Sequence, residues 1–306
     1  MPVVLGICAA AKIPASRQLM PLAYAAGIGG VITMVGTPPN IIVSGVLTSF
    51  GYESFSFFEF AWIGIPLTFV VIAYMMFIGK YLLPKAELDA DQEIEQEIEA
   101  TVTDSKKQIV SGLILAVCII VMALDLKAIS LEMTAIVGAL VCVLTGCLTE
   151  KQAYSAIDWV TIFLFAGMMP VSAAMDKTGA GKLIAEWAVS LMGGSPTPII
   201  MTSVLFIISC TLTQFMSNTA ACALLAPVGV AISQQLGASP KAVLMAIGVA
   251  ASCAFATPVG TPPCTLVLGP GGYKFMDYVK VGVPLVVLCF IVSIIVIPMV
   301  WPFFPG

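Results

Sequence analysis

The chain of 306 residues contains no histidine, and charged residues make up only 10% of it. Without an imidazole there is no ready proton relay near neutral pH, and no Cys–His pair for nucleophilic catalysis. Nine cysteines are present, but they are scattered singly through apolar stretches and none forms a CxxC pair. A zinc site and a disulfide framework both lack their usual spacing, so the cysteines read as small buried hydrophobes. The net charge of −4 arises largely from one acidic stretch and points to no nucleic-acid partner.

Apolar sequence is what the chain has in excess: 59% of its residues are hydrophobic, and the mean hydropathy is +1.06. A soluble domain does not need so much, and the composition is that of an integral membrane protein built from helices. A helix crossing the hydrocarbon core needs about 20 apolar residues. Uninterrupted candidates are residues 60–83, 108–124, 130–148, 158–175 and 279–303. Three further apolar regions are interrupted: 17–50 around "GTPPN", 197–235 around "FMSNTAAC", and 241–268 around "GTPPC". Residues 85–107 are polar and acidic and read as a linker outside the membrane. Residues 179–194 are too short and too charged to span. Leu183, Ile184, Trp187, Ala188 and Leu191 share one helical face there, as in a helix lying in the membrane interface.

An internal repeat organises these regions. A shift of 224 residues places Val31–Pro39 ("VITMVGTPP") on Phe255–Pro263 ("FATPVGTPP"), and Arg17 on Lys241. After a six-residue length difference, Phe58–Pro66 falls on Met276–Pro284, pairing Glu59 with Asp277, Gly64 with Gly282 and Pro66 with Pro284. With residues 85–107 placed inside, Lys and Arg divide nine inside to four outside, in accord with the positive-inside rule. The loop 49–58 then falls outside and its counterpart 269–280 inside, the pattern of an inverted repeat. Copy two is preceded by a long segment that copy one lacks, so the first repeat is expected to be incomplete, as in an amino-terminally truncated chain.

The breaks carry the chemistry. Backbone freed in mid-membrane survives only where protein, ions or a water-filled cavity satisfies it. In inverted-repeat transporters that place is the binding site, with half-helix amino ends facing anions and freed carbonyls holding sodium. The third break, Ser217-Asn218-Thr219, interrupts apolar flanks that are each short for a crossing, which predicts a re-entrant hairpin with these residues at its tip. Ser217 and Asn218 are good N-caps for the second arm, and the amide of Asn218 bonds on two sides. A lone Ser-Asn-Thr is more often a helix–helix hydrogen-bonding patch, and a lone Pro-Pro a kink; their occurrence beside a duplicated break favours the functional reading.

"TQFMSNTAACALLAPV" together with "VGTPPN" and "VGTPPC" resembles the divalent anion/sodium symporter family, which carries dicarboxylates, citrate and sulfate. The resemblance covers essentially the whole chain. It implies sodium-coupled symport by an elevator mechanism, with no cofactor and Na+ as the coupling ion. Carried over by position, a second sodium site would use Thr213, Met216, Asn218 and Gly260, and Gly36 would serve a first. Substrate oxygens would meet Ser217, Asn218, Thr219, Thr261, Pro262, Thr37, Pro38 and Asn40. The family's first hairpin is absent from this chain, and Cys264 stands where copy one has Asn40, so the two loops are not chemically equivalent.

The expected organisation follows. Residues 1–84 are the carboxy-terminal part of the first repeat and 195–306 the hairpin, broken helix and last helix of the second; together they form the moving transport domain. Residues 85–107 are a cytoplasmic linker, and 108–194 hold scaffold helices and the interfacial arm. The expected partners are a small anion, sodium, the bilayer of the cell (inner) membrane and a second copy of the chain, with the carboxy terminus outside. A proton-coupled or exchange-type carrier is the alternative. It needs a titratable group within a span, and Glu132 and Asp158 both sit near span ends, Asp158 as an N-cap. A membrane enzyme is disfavoured by cysteine without histidine.

Overall fold

A computed structural model describes residues 1–84, 105–124, 130–157 and 196–304, and part of 158–195. Most of the acidic linker and Asp158 lie outside the described residues, as does much of the 158–175 span. All regular structure among the described residues is helical. In the first stretch the helices are α1 (Pro2–Ala11), α2 (Leu19–Gly29), α3 (Pro38–Ser49) and α4 (Ala61–Leu82), the last with a π-type turn at Met75–Gly79. Then come α5 (Ser105–Ala123), α6 (Leu131–Leu144), α7 (Glu150–Ser155) and α8 (Ala180–Leu191). The remainder are α9 (Pro198–Thr213), α10 (Asn218–Leu236), α11 (Pro240–Ser252), α12 (Pro262–Leu268) and α13 (Phe275–Val300).

By length and composition four described helices can cross a membrane: Ala61–Leu82, Lys106–Ala123, Asn218–Leu236 and Phe275–Val300. The chain divides into two compact units, residues 1–90 with 163–306, and residues 91–162. In the smaller unit, α5 and α6 pack together, and Gly138 on α6 lets Cys118 of α5 come close. Glu132 is exposed in the first turn of α6, next to its Ser130 cap.

In the larger unit the prolines of both GTPP sequences start helices rather than end them. Pro lacks an N–H and is tolerated at the first helical position, where that donor would have no partner. It also pushes the residue before it into extended backbone. Thr37 (φ −147°, ψ 142°) and Thr261 (φ −131°, ψ 142°) take that conformation and open α3 and α12. The helices upstream stop at Gly29, extended by one tight turn to Ile32, and at Ser252. Each break is therefore a few residues of non-helical backbone followed by a new helix.

Hydrogen bonds mark two ends of this unit. At one, Ser16 Oγ donates to Pro84 O (3.1 Å) and Tyr273 Oη donates to Ser16 O (2.6 Å). At the other, Lys241 pairs with Glu59 (3.5 Å), Trp301 Nε1 donates to Glu59 Oε1 (2.9 Å), and Ser239 N donates to Phe303 O (2.6 Å). Helix α4 runs from the Glu59 end to the Pro84 end, and α13 from the Tyr273 end to the Trp301 end, so they are antiparallel. At 1.5 Å per residue their 22 and 26 residues span about 33 and 39 Å. Tyr74 Oη donates to Val281 O (2.7 Å) and joins the two helices between the ends.

Positions matched in the repeat do the same work in both halves. Gly64 on α4 lies against the break of the first half, where a Cβ would come within 2.8 Å of Ile32 Cα. Gly282 on α13 lies against Phe255 O in the second break, with no room for a Cβ. Glu59 Oε2 accepts from Ser56 N (3.0 Å), and Asp277 Oδ2 accepts from Lys274 N (2.8 Å), each three residues back. Helix α8 exposes Leu183 and Trp187 along one side while Val189 is buried, an amphipathic arrangement suited to an interface.

Candidate functional site

Helices α9 and α10 form a hairpin whose tight turn, residues 214–217, returns the chain antiparallel to its entry. Ser217 is the N-cap of α10, its hydroxyl accepting from Ala220 N at 3.2 Å, so a helix restarts within apolar sequence at the tip. The hairpin meets the second break through Asn218. One end of its side-chain amide lies 2.6 Å from Thr213 Oγ1, 3.1 Å from Ala251 O and 2.8 Å from Gly260 O. Thr213 Oγ1 itself lies 2.8 Å from Ala251 O, within reach to donate its proton. Thr213 is fully buried and Asn218 half-buried. A hydroxyl, two backbone carbonyls and one end of an amide thus converge on one point at the junction of hairpin and break.

Glycine makes this approach possible. A Cβ on Gly260 would come within 2.7 Å of both Thr213 O and Ala254 Cβ. In the first half, Gly36 folds back on Gly30 in the same manner, and a Cβ there would strike the Gly30 carbonyl. Ala254 and Gly30 are themselves matched by the 224-residue shift.

The two breaks are satisfied differently. In the first, Asn40 Nδ2 donates to Val31 O (3.3 Å) and Thr33 O (2.9 Å), while Asn40 Oδ1 is buried without a partner. In the second, where Cys264 replaces asparagine, Phe255 O accepts from Tyr24 Oη of the first half (2.8 Å). Gln214 beside the tip adds a clamp. Its Nε2 donates to Cys210 O (3.0 Å) and Cys253 O (3.2 Å), its Oε1 accepts from Ala256 N (3.0 Å), and its carbonyl accepts from Thr257 Oγ1 (2.7 Å). One turn beyond Asn218, Cys222 Sγ donates to Pro39 O (3.6 Å), so the same helix also touches the first half-helix.

Of the residues singled out from sequence, Thr213, Asn218 and Gly260 are brought into direct contact. Met216 lies in the tip turn and Thr219 is buried in the first turn of α10. Thr37 with Pro38, and Thr261 with Pro262, open their half-helices, and neither threonine caps its helix through its side chain. Gly36 sits in the first break against Gly30. Sequence reasoning missed Ala251, Gln214 and Tyr24. Ala251 contributes a backbone carbonyl, which no residue type announces. Gln214 is a polar residue within an apolar run, and that signal was available.

No group of three or more His, Cys, Asp or Glu comes together among the described residues to hold a metal; the groups that converge at the junction are uncharged, a hydroxyl, two carbonyls and an amide. Arg17, Lys241 and Lys274 lie at the ends of the unit, beside Ser16, Glu59 and Tyr273. Lys241, paired with Glu59, starts the helix that finishes at Ser252 and is roughly 18 Å of helix from the break. We expect Lys241→Met to change anion affinity by no more than roughly twofold, because charge at that range is screened at physiological salt. Equilibrium binding at fixed sodium checks this, and loss of binding would place the site elsewhere.

Among the described residues, helices alone, several of them of membrane length and two interrupted around a buried polar junction, are the architecture of a multi-pass membrane protein. A family model described as "Citrate transporter" matches residues 1–127 and 116–304. The chain belongs to this family, within the divalent anion/sodium symporters, whose members matched here are named transporters and not enzymes. It is 41% identical over 171 residues to "Uncharacterized transporter YfbS" of Escherichia coli, covering 55% of this chain and 28% of that one. It is 34% identical over 287 residues to an "Uncharacterized transporter" of Haemophilus influenzae, covering 90% of this chain and 60% of that one. It is 26% identical over 310 residues to "Sodium-dependent dicarboxylate transporter SdcS" of Staphylococcus aureus, covering 94% of this chain and 59% of that protein. The chain thus spans about 60% or less of the length of these relatives.

Proposed function

We propose that the chain belongs to a sodium-coupled symporter of small divalent anions, a dicarboxylate, citrate or sulfate, working by an elevator mechanism. The observation that carries this reading is the convergence of Thr213 Oγ1, Ala251 O, Gly260 O and the Asn218 amide. Neutral oxygens from a hairpin and a broken helix suit a hard monovalent cation, which uncharged donors hold without the desolvation cost of a buried carboxylate. Met216 completes this site in our reading, and Gly36 contributes to a matching site in the first half. The sodium dependence in the name of the Staphylococcus aureus relative supports the same choice.

The anion is recognised by neutral groups: Ser217, Asn218, Thr219, Thr37, Pro38, Thr261 and Pro262. Helix α3 begins at the first break and turns the positive end of its dipole there, an effective charge of about +0.5, while Pro38 and Pro39 themselves carry no N–H to donate. Asn40 belongs to the same loop. With its nitrogen committed to Val31 and Thr33, we assign it to shaping that anion-binding loop, and its Oδ1 is buried without a partner.

The antiparallel course of α4 and α13, with their matched glycines and caps, supports an inverted repeat. Residues 1–84 and 195–306 form the transport domain in this reading, residues 108–194 hold the scaffold and arm, and two copies pair through the scaffold. The linker 85–107 is cytoplasmic and the carboxy terminus outside, in the cell membrane.

Asn218→Ala tests the site. It removes an ion ligand and an anion partner together, and each unsatisfied buried group costs roughly 1–3 kcal/mol. Sodium-dependent anion uptake by the intact protein in liposomes is expected to fall to background while the protein still inserts. Uptake at the wild-type rate contradicts the assignment.

A further inference from the structure

Asn218 is the side chain that belongs to both surroundings. One end of its amide is inside the oxygen cluster, and the other makes no hydrogen bond on the half-buried side of the residue, next to exposed Ser217. We propose that rotation of the Asn218 amide couples cation occupancy to anion affinity, an inference that rests on the symport reading above.

A primary amide carries an acceptor at one end and two donors at the other, so its two orientations present opposite polarity to the same neighbours. With Nδ2 inward, it donates to Gly260 O at 2.8 Å and to Thr213 Oγ1 at 2.6 Å. Thr213 Oγ1 then donates its own hydrogen bond to Ala251 O at 2.8 Å. Every acceptor in the cluster is satisfied, amide hydrogens fill the space between the oxygens, and Oδ1 turns its negative end to the outer face. An anion meets repulsion there.

With Oδ1 inward, the amide oxygen faces two carbonyls and accepts at most one hydrogen bond, from Thr213 Oγ1. Oxygens this close repel unless a cation lies between them, so this orientation belongs to the ion-bound site. Nδ2 then turns outward and offers two N–H groups to a carboxylate or sulfate oxygen. Cation and anion favour the same orientation, and the coupling is reciprocal, as linkage requires. Neither ligand needs a charged side chain of the protein.

Asn218→Asp tests this directly, because a carboxylate has oxygen at both ends and nothing to donate. The intact, purified protein is titrated with sodium alone, followed by its melting temperature. The affinities of citrate, succinate and sulfate are then measured without sodium and at saturating sodium. In the wild type, sodium is expected to raise the melting temperature and to tighten the accepted anion at least about tenfold, within the usual range of coupling energies. In Asn218→Asp the melting shift with sodium is expected to persist while the enhancement of anion binding disappears. Enhancement close to that of the wild type in Asn218→Asp overturns the rotation while leaving symport intact. A wild type indifferent to sodium in both measurements overturns the symport reading and the rotation with it.

Should Asn218→Asp fail to fold, asparagine-selective ¹⁵N solid-state spectra of the wild type give a second reading. The chain contains two asparagines, Asn40 and Asn218. Sodium without anion is expected to shift a side-chain amide resonance toward the position of a weakly bonded N–H₂. Amide resonances that stay fixed while sodium stabilises the protein contradict the proposal.

Discussion

Gly260→Ala is expected to eliminate sodium-dependent transport while sparing membrane insertion. The added Cβ meets the Thr213 carbonyl and Ala254 Cβ, both at 2.7 Å. The first is backbone at the hairpin tip and cannot swing aside as a flexible side chain would. Either the tip or the loop must shift by several tenths of an ångström, and both carry oxygens of the proposed ion site. A ligand set whose edges are 2.6–3.1 Å does not tolerate such a shift, since charge–dipole attraction needs its oxygens placed to about half an ångström. The rest of α11 and α12 is untouched, so yield and oligomeric behaviour should resemble the wild type. Sodium titration of the melting temperature reads the ion site without reference to the anion. A Gly260→Ala protein with wild-type sodium response would remove this loop from the ion site.

The second large effect concerns the fold. Gly282→Ala places a Cβ onto the Phe255 carbonyl of the second break, which is already engaged by Tyr24 Oη. Overpacking a filled core costs about 1–3 kcal/mol and occasionally more. With backbone on both sides of the contact, the upper part of that range is expected. The melting temperature and the monodisperse yield in detergent should both fall. Gly112→Ala is the comparison: no atom lies within 4 Å of its added Cβ, and alanine is the better helix former by nearly 1 kcal/mol. Equal stability of the two variants would mean that α13 does not lean on the break.

The breaks themselves were legible because proline has so few places to stand. A Pro-Pro inside apolar sequence marks a break in a helix, and its recurrence 224 residues on marked a second; that each pair opens a new helix is visible only in the fold. The spans were legible too, with 60–83 and 279–303 appearing as α4 and α13, whose ends differ by one to four residues. The hairpin arm after Ser217 is longer than its interrupted flank implied. It runs 19 residues through Pro227 to a glycine with φ 62°, because proline within a helix can be accommodated in membranes.

Backbone chemistry could not be read in this way. The Ala251 carbonyl is a member of the cluster for reasons of position alone, and any residue there would supply it. Tyr24 and Phe255 are distant in sequence, and only the folded arrangement shows that the first half completes the second break. Asn40 is a mixed case: its residue type suggested a place beside the anion, and only the fold shows that its nitrogen is engaged by the carbonyls of its own loop while its oxygen has no partner.

The central claim is that neutral oxygens at the junction of hairpin and break tie sodium to anion movement. The most direct measurement is accumulation of labelled citrate, succinate and sulfate in liposomes containing the intact protein. An inward sodium gradient is compared with an equal potassium gradient, with the membrane potential clamped in both. The account predicts concentrative uptake of at least one of these anions with sodium and none with potassium. Uptake that is equal in the two gradients, or that follows a proton gradient instead, would contradict it.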